Sequence, residues 1–321
     1  MPTGSPRPRA ARLHDHGKPL VVEEVDLPVP GEDEVLVEMA FAGVNPADRY
    51  VAEGRLAPDA PLPRTLGMEG AGRVAADGRP VLLQGGGLGA QRDGAWAERV
   101  LAPRAVLTDI PAGVDLAEAA AMGVAGSTAW RTATEQARVT ADDRVLVLGS
   151  SGGVGSILVS ICRSLGARVW GQTGNPDKAA FVTGQGAEEV VTAGAGELAA
   201  AVEPLVPTVV FDGLGDGFSA AAIEALCPFG RLVSFGVSAG PMAEINMQSL
   251  YRKGLTVHGY GGLAEPHERM AAGKAAALAA LAEGRLRVAI AEVLPLGRVN
   301  EAFAALVDRT VTGKIVLDLR R

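Results

Sequence analysis

The residues best suited to chemistry lie in the run Gly149, Ser150, Ser151, Gly152, Gly153, Val154 and Gly155, between the apolar segment 144–148 and the amphipathic segment 156–165. Strand, Gly-rich turn and helix in succession is the context in which a G-x-G-x-x-G pattern binds a dinucleotide. Ser150 stands at the first Gly position, Gly152 lets the backbone approach a pyrophosphate, and Gly155 permits close packing of helix on strand. The helix N-terminus, with Ser151, Gly153 and Val154 beside these glycines, offers the phosphates free N–H groups and a partial positive charge. An ordinary Gly-rich loop is the alternative, and it gives no reason for the flanking elements.

The next apolar segment, 167–171, ends in Gln172, Thr173, Gly174 and Asn175, where an NAD-selective site would offer Asp or Glu to the ribose hydroxyls. Lys178 follows, and a cation beside small polar residues suits a 2′-phosphate, a charge-assisted contact of roughly 1.5–3 kcal/mol. NADPH is therefore the expected cofactor. The plainer reading of Lys178 is a solvated residue of the next helix.

These residues need a scaffold. From about Asp115 the chain is Ala-rich and helix-prone, over 116–122 and 127–137, and then strands alternate with helices. Strands are expected at 144–148, 168–171, 189–192, 208–212, 231–236 and 254–259, which predicts a doubly wound parallel sheet. Before Asp115, short β-rich runs within 20–44 and at 70–75, 79–84 and 96–101 are cut by Gly and Pro, the pattern of an antiparallel β domain, read as a compact barrel. After Tyr260 a helix is expected over 266–283, then a strand-like tail over 292–319 that returns to the first domain.

With 321 residues, 48% hydrophobic and 21% charged, the chain suits two globular domains. A formal charge of −7, with no basic cluster beyond Arg7 and Arg9, argues against nucleic acid or an anionic membrane as partner, and no stretch is long and apolar enough to span a bilayer. A small organic substrate is expected. Residues 1–17 lack an apolar segment and read as a frayed leader, not a signal peptide; with only Cys162 and Cys227 present, no disulfide framework is possible and the cytoplasm is expected. Both cysteines read as core thiols.

Taken with the turn, the motifs Gly43 to Tyr50, Leu66 to Gly72, Gly94 to Glu98 and Gly313 to Leu317 resemble, in this order, the medium-chain dehydrogenase/reductase superfamily, and within it the quinone oxidoreductase branch. The resemblance covers nearly the whole chain. It implies an α/β protein with a GroES-like β-barrel catalytic domain, 1–122 and 263–321, and a Rossmann domain, 123–262, with the cofactor in the cleft between them. A homodimer joined through the Rossmann domains is also implied. By position in the family motif, Asn45 and Tyr50 are the active-site residues, with Tyr50 a proton or hydrogen-bond donor. Around the cofactor the resemblance puts Asn45, Thr128, Gly174, Lys178, Gly236, Val237, Tyr260 and Arg309. The structural alternative is that Asn45 caps the following helix and Tyr50 fills an interface.

Zinc alcohol dehydrogenases of the same superfamily carry a Cys where Asn45 stands and a His where Met68 stands. Two cysteines cannot supply a four-Cys structural site, and His14, His16, His258 and His267 have no ligand spacing, so no metal is expected. Without a Lewis acid, hydride transfer to a quinone or to the C=C of an α,β-unsaturated carbonyl is favoured, since the charge spreads over a conjugated oxygen. An enoyl-thioester reductase of a biosynthetic pathway and a noncatalytic NADPH-binding redox sensor are the competing readings. Within the branch, Thr192 replaces a common Tyr beside the phosphate, which counts against NADPH without removing it; Val237 replaces a frequent Asn, which leaves any nicotinamide contact there to the backbone; and Leu56 replaces a Tyr found in some members, which makes the expected substrate pocket more apolar.

Overall fold

Short runs rich in Val, Leu and Ala between Gly and Pro form the first strands, because pleated backbone accommodates these side chains on alternate faces. A computed structural model describes residues 7–262, 266–308 and 310–321. Arg309, expected at the cofactor, and the side chain of His267 lie outside the described residues. The chain divides into two compact units: Met1–Val124, Glu265–Ala282 and Ile290–Arg321 form one, and Ala125–Ala264 with Glu283–Ala289 the other.

The first unit begins with β1 (Arg9–Leu13), β2 (Val21–Glu24), β3 (Glu34–Val44), β4 (Arg64–Thr65), β5 (Glu69–Val74), β6 (Pro80–Gln84), β7 (Arg99–Pro103) and β8 (Leu107–Asp109). β1 lies between β2 and β4 in a small antiparallel sheet. The reading of a frayed leader over 1–17 is thereby corrected at Arg9–Leu13: Ala10, Ala11 and Leu13 are fully buried, and the run 9–13 is too short and too interrupted by Arg to announce itself as a strand. The strand expected at 96–101 forms at Arg99–Pro103, because the backbone N–H groups of Gly94, Ala95 and Trp96 donate to the carbonyls of Thr65, Gly67 and Leu66.

The second unit holds β9 (Arg144–Val147), β10 (Arg168–Thr173), β11 (Glu189–Thr192), β12 (Val209–Asp212), β13 (Arg231–Ser234) and β14 (Thr256–Gly259). All pair in parallel, in the order β11-β10-β9-β12-β13-β14. Their apolar runs are buried against helices, with Leu146, Trp170, Leu198, Val210, Ile223 and Leu232 in one cluster. The strand order reverses at β9, and in open parallel sheets the crevice at such a reversal takes the ligand. The helix read over 127–137 is an α-helix only over Val124–Arg131; its last turns, Thr132–Gln136, are π-helical. Residues 283–289 group with this unit, where Arg287 N–H donates to Ser160 Oγ and the Arg285 guanidinium lies over the Trp130 ring.

The chain then adds β15 (Ile290–Pro295) and β16 (Lys314–Asp318) to the first unit, completing a sheet of order β15-β16-β3-β5-β6-β8 with β7 also on β3. This path is open among the described residues, a coarser result than the closed barrel expected. The tail over 292–319 is not all strand: Val299–Val307 is a helix that buries Val299 and Ala302. Its β-branched residues at both ends favoured the strand reading, and packing against the core overrode them.

Candidate active site

In each unit a cluster of polar groups gathers where strands of the sheet end. In the second unit the turn follows β9 at the point of reversal. Gly149 has φ +64°, in the left-handed region where a side chain would be strained. Gly152 is the N-cap residue of the helix Gly153–Ser164 and supplies no side chain to its first N–H groups, and the first turn has no acidic residue. A twelve-residue helix thus presents bare donors and a positive dipole end. A Cβ on Gly155 would fall on the carbonyl oxygen of Gly149 and 2.9 Å from Ser150 Cα, so the helix packs on the turn only because residue 155 has no side chain.

Sequence reasoning gave Gln172 no role beyond not being acidic. The structure gives it one: buried at the end of β10, its Oε1 accepts the Gly149 N–H at 3.0 Å and its Nε2 donates to Ala193 O at 2.8 Å. Its carbonyl accepts both the Ser150 N–H, at 2.9 Å, and Ser150 Oγ, at 2.8 Å. The turn is thereby tied to two neighbouring strands. Ser151 Oγ lies 3.5 Å from Thr173 Oγ1, Gly174 has open space where a Cβ would be, and Lys178 follows in the turn Pro176–Lys178, where partial burial lowers its pKa.

Further along this edge, Asp212 at the end of β12 accepts N–H bonds from Leu214 and Gly215 and a hydroxyl bond from Ser219 at 2.5 Å. Gly236, after β13, stands where a Cβ would meet Gly213 O at 3.0 Å, while Val237 is exposed. Thr128 is half-buried, its carbonyl bonded by Thr132 Oγ1. Tyr260 is buried with the Arg131 guanidinium 5.6 Å from its ring centre. Thr192 is exposed at the end of β11, and Cys162 is a buried thiol whose pKa burial raises.

In the first unit, register assembles a second cluster. β16 pairs Ile315 with Val44 and β5 pairs Gly70 with Ala42, so Lys314 and Glu69 arrive beside Asn45. Lys314 Nζ donates to Asn45 Oδ1 at 2.5 Å, to Glu69 Oε1 at 2.7 Å and to Val44 O at 3.2 Å. Asn45 Nδ2 donates to Glu69 Oε1 at 2.7 Å, and Glu69 Oε2 accepts the Val124 N–H at 2.6 Å. Glu69 is wholly inaccessible and Asn45 and Lys314 each 4% exposed, so this ion pair is stable only because its partners satisfy it. A Cβ on Gly43 would fall on the Glu69 carboxylate and 2.7 Å from Ala120 O, and one on Gly123 would come 2.7 Å from Glu69 Oε2.

Asn45 also occupies the N-cap position of the helix Pro46–Ala52, but its side chain turns to Glu69 and Lys314. The helix start is held by Asp48, whose carboxylate accepts the N–H groups of Asn45 and Met68 at 2.9 Å each. Burial pushes the Asp48 pKa up to about 7, helped by the nearby Glu69 charge and opposed by those two N–H groups and Lys314. Tyr50 is half-buried on the same helix with the Arg55 guanidinium 4.5 Å from its ring centre, and Leu56 packs against the core. Met68 is buried and offers no imidazole at its position. Neither Glu69 nor Lys314 was assigned a role from sequence; the available signal was one charge of each sign inside otherwise apolar or Gly-rich strands.

Residues 31–112 match the family model described as alcohol dehydrogenase GroES-like domain, and residues 153–279 the one described as zinc-binding dehydrogenase. The chain is 30% identical to a quinone oxidoreductase of Lama guanicoe, covering all of both chains. It is 31% identical to quinone oxidoreductase-like protein 2 of Bos taurus, covering 97% of this chain and 93% of that one. Among solved structures it is similar to mycobacterial Rv1454c complexed with NADPH, with a TM-score of 0.86 and 27% identity over 97% of this chain and 99% of the other.

Proposed function

We propose that this chain, which belongs to the quinone oxidoreductase-like branch of the medium-chain dehydrogenase/reductase superfamily, is an NADPH-dependent oxidoreductase that reduces a quinone or the C=C of an α,β-unsaturated carbonyl. The observation that carries the reading is the uncapped helix N-terminus at Gly152, at the reversal of a parallel sheet, with no side chain on Gly152 to keep a pyrophosphate from the backbone and none on Gly155 to hold the helix off the turn. Ser151, Gly152, Gly153, Val154 and Gly155 would hold the pyrophosphate.

The 2′-phosphate falls to Thr173, Gly174 and Lys178, supported by the open space at Gly174 and the partly desolvated ammonium. NADPH, when bound, would supply a hydride, two electrons with one proton. Toward a reduced acceptor, an Asn45 amide N–H would steady the negative oxygen and Tyr50 or water would supply one proton, completing a two-electron, two-proton reduction. Thr128, Gly236, Val237 and Tyr260 complete the proposed cofactor contacts.

The donor set argues for zinc-independent chemistry. At the two ligand positions stand an amide and a thioether, Asn45 and Met68, and a Lys314 ammonium sits 2.5 Å from the amide oxygen, which a divalent cation would oppose. The matched residues of the zinc-binding dehydrogenase model include both cysteines, of which Cys162 is buried in a helix. A homodimer through the second unit is supported by β14, an edge strand among the described residues, which carries exposed Val257, with Tyr251 and Phe229 also exposed on this unit.

The test is stopped-flow oxidation of NADPH with a quinone, an enone and an enoyl thioester as acceptors. Rapid oxidation with the quinone or the enone is expected. Oxidation with the thioester alone would reassign the substrate, and tight NADPH binding without oxidation by any acceptor would overturn the enzymatic reading.

A further inference from the structure

We infer that Lys314 and Glu69 are positioning residues that lock the Asn45 amide in one orientation and leave a single N–H of the cluster free for the acceptor oxygen. This rests on the proposed function, in which Asn45 meets that oxygen. An Asn amide is nearly symmetric in shape, so sterics alone do not decide which end faces which neighbour. Here charge decides it. An ammonium can only donate, and Lys314 Nζ lies 2.5 Å from Oδ1; an ionised carboxylate can only accept, and Glu69 Oε1 lies 2.7 Å from Nδ2. A flipped amide would set its NH2 against the ammonium and its oxygen against the carboxylate, exchanging two charge-assisted bonds for two repulsions.

The hydrogen count then closes. The three hydrogens of Lys314 go to Asn45 Oδ1, Glu69 Oε1 and Val44 O, and one hydrogen of Asn45 Nδ2 goes to Glu69. Among the interactions of these three side chains, the donor left over is the second Nδ2 hydrogen. The ammonium on the amide oxygen also draws charge from the nitrogen, which makes the remaining N–H a stronger donor. Glu69 has no room to swing away, because Gly43 and Gly123 bring backbone to within a missing Cβ of its carboxylate.

The test compares Asn45→Ala, Lys314→Met, Lys314→Arg and the double variant Asn45→Ala/Lys314→Met, using the acceptor that the wild type reduces. Lys314→Met is expected to lower kcat about 10- to 100-fold, less than the roughly 100- to 1000-fold that removing an oxyanion donor outright costs, with the NADPH Kd from nucleotide fluorescence within about twofold. Lys314→Arg should recover part of the loss, and in the Asn45→Ala background the Lys314 substitution should cost less than about twofold more. The same full loss in both backgrounds, or no loss in Lys314→Met, would overturn the inference.

Should the uncompensated Glu69 charge prevent Lys314→Met from folding, Glu69→Gln/Lys314→Met removes both charges and should fold with the loss of kcat retained; wild-type turnover in it would also overturn the idea. A readout independent of turnover is the side-chain NH2 signal of Asn45 in 15N-labelled protein, identified by its absence in Asn45→Ala. Two sharp, widely separated hydrogens that merge or move together in Glu69→Gln/Lys314→Met are expected, and an unchanged pair would refute the lock. A wild type that oxidises no NADPH would defeat the proposed function while leaving this spectroscopic test in force.

Discussion

The Gly149–Gly155 turn and the Asn45–Glu69–Lys314 cluster are built in opposite ways. The turn is contiguous and made of backbone; its exactness comes from missing side chains, as at Gly155. The cluster joins side chains 24, 245 and 269 residues apart, and its exactness comes from charges whose hydrogen bonds are fully used. A backbone site therefore tolerates exchange of exposed side chains but no added Cβ at its contact points. A charge cluster tolerates neither a new Cβ nor the loss of one partner.

That contrast can be broken experimentally. The largest effect is expected for Gly43→Ala, which drives a methyl into a buried carboxylate and the Ala120 carbonyl at once: a loss of about 3–5 kcal/mol of stability, read from urea melts. Gly155→Ala should cost about 2–3 kcal/mol and additionally weaken NADPH binding by more than about tenfold, because only backbone can yield. If the two were equally destabilised and equally impaired in NADPH binding, the distinction between a charge cluster and the proposed nucleotide turn would fail.

A second effect belongs to pH. The Asp48 pKa is raised from 3.8 to about 7 in the fold, so the native state holds a proton that the unfolded chain releases. Its contribution to stability is fully present below about pH 4 and is lost as pH rises through about 7. Melts of the wild type against Asp48→Asn should diverge across that window, by a few kcal/mol at most, since two N–H bonds and Lys314 favour the charged form. Parallel curves would show that Asp48 is ionised throughout.

The smallest of these effects lies at the rim of the turn. Lys178→Ala should weaken NADPH about 10- to 100-fold and NADH hardly at all, measured by nucleotide fluorescence. Equal losses for the two would remove the phosphate role.

Much of the second unit was legible because its signals are local. The strand at Glu189–Thr192 has the bounds read from sequence, and the others differ by one or two residues at their ends, where hydrogen bonding and not composition sets the limit. The first unit was less so. Arg9–Leu13 is a strand because β2 and β4 flank it, and Val299–Val307 is a helix because the core takes its apolar face, neither of which five or nine residues state alone. The role of Gln172 was equally hidden, since its partners Gly149 and Ala193 are set by strand order.

The sequence by itself determined the parallel sheet, the family and the strand-turn-helix context of the Gly-rich turn, because each rests on residues adjacent in the chain whose backbone preferences suffice. The resemblance also implied that Asn45 and Met68 stand at positions where zinc relatives carry ligands. The tertiary structure alone decided what surrounds Asn45. Its neighbours come from β5 and β16, and only the register of those strands on β3 brings a carboxylate and an ammonium to the two ends of one amide.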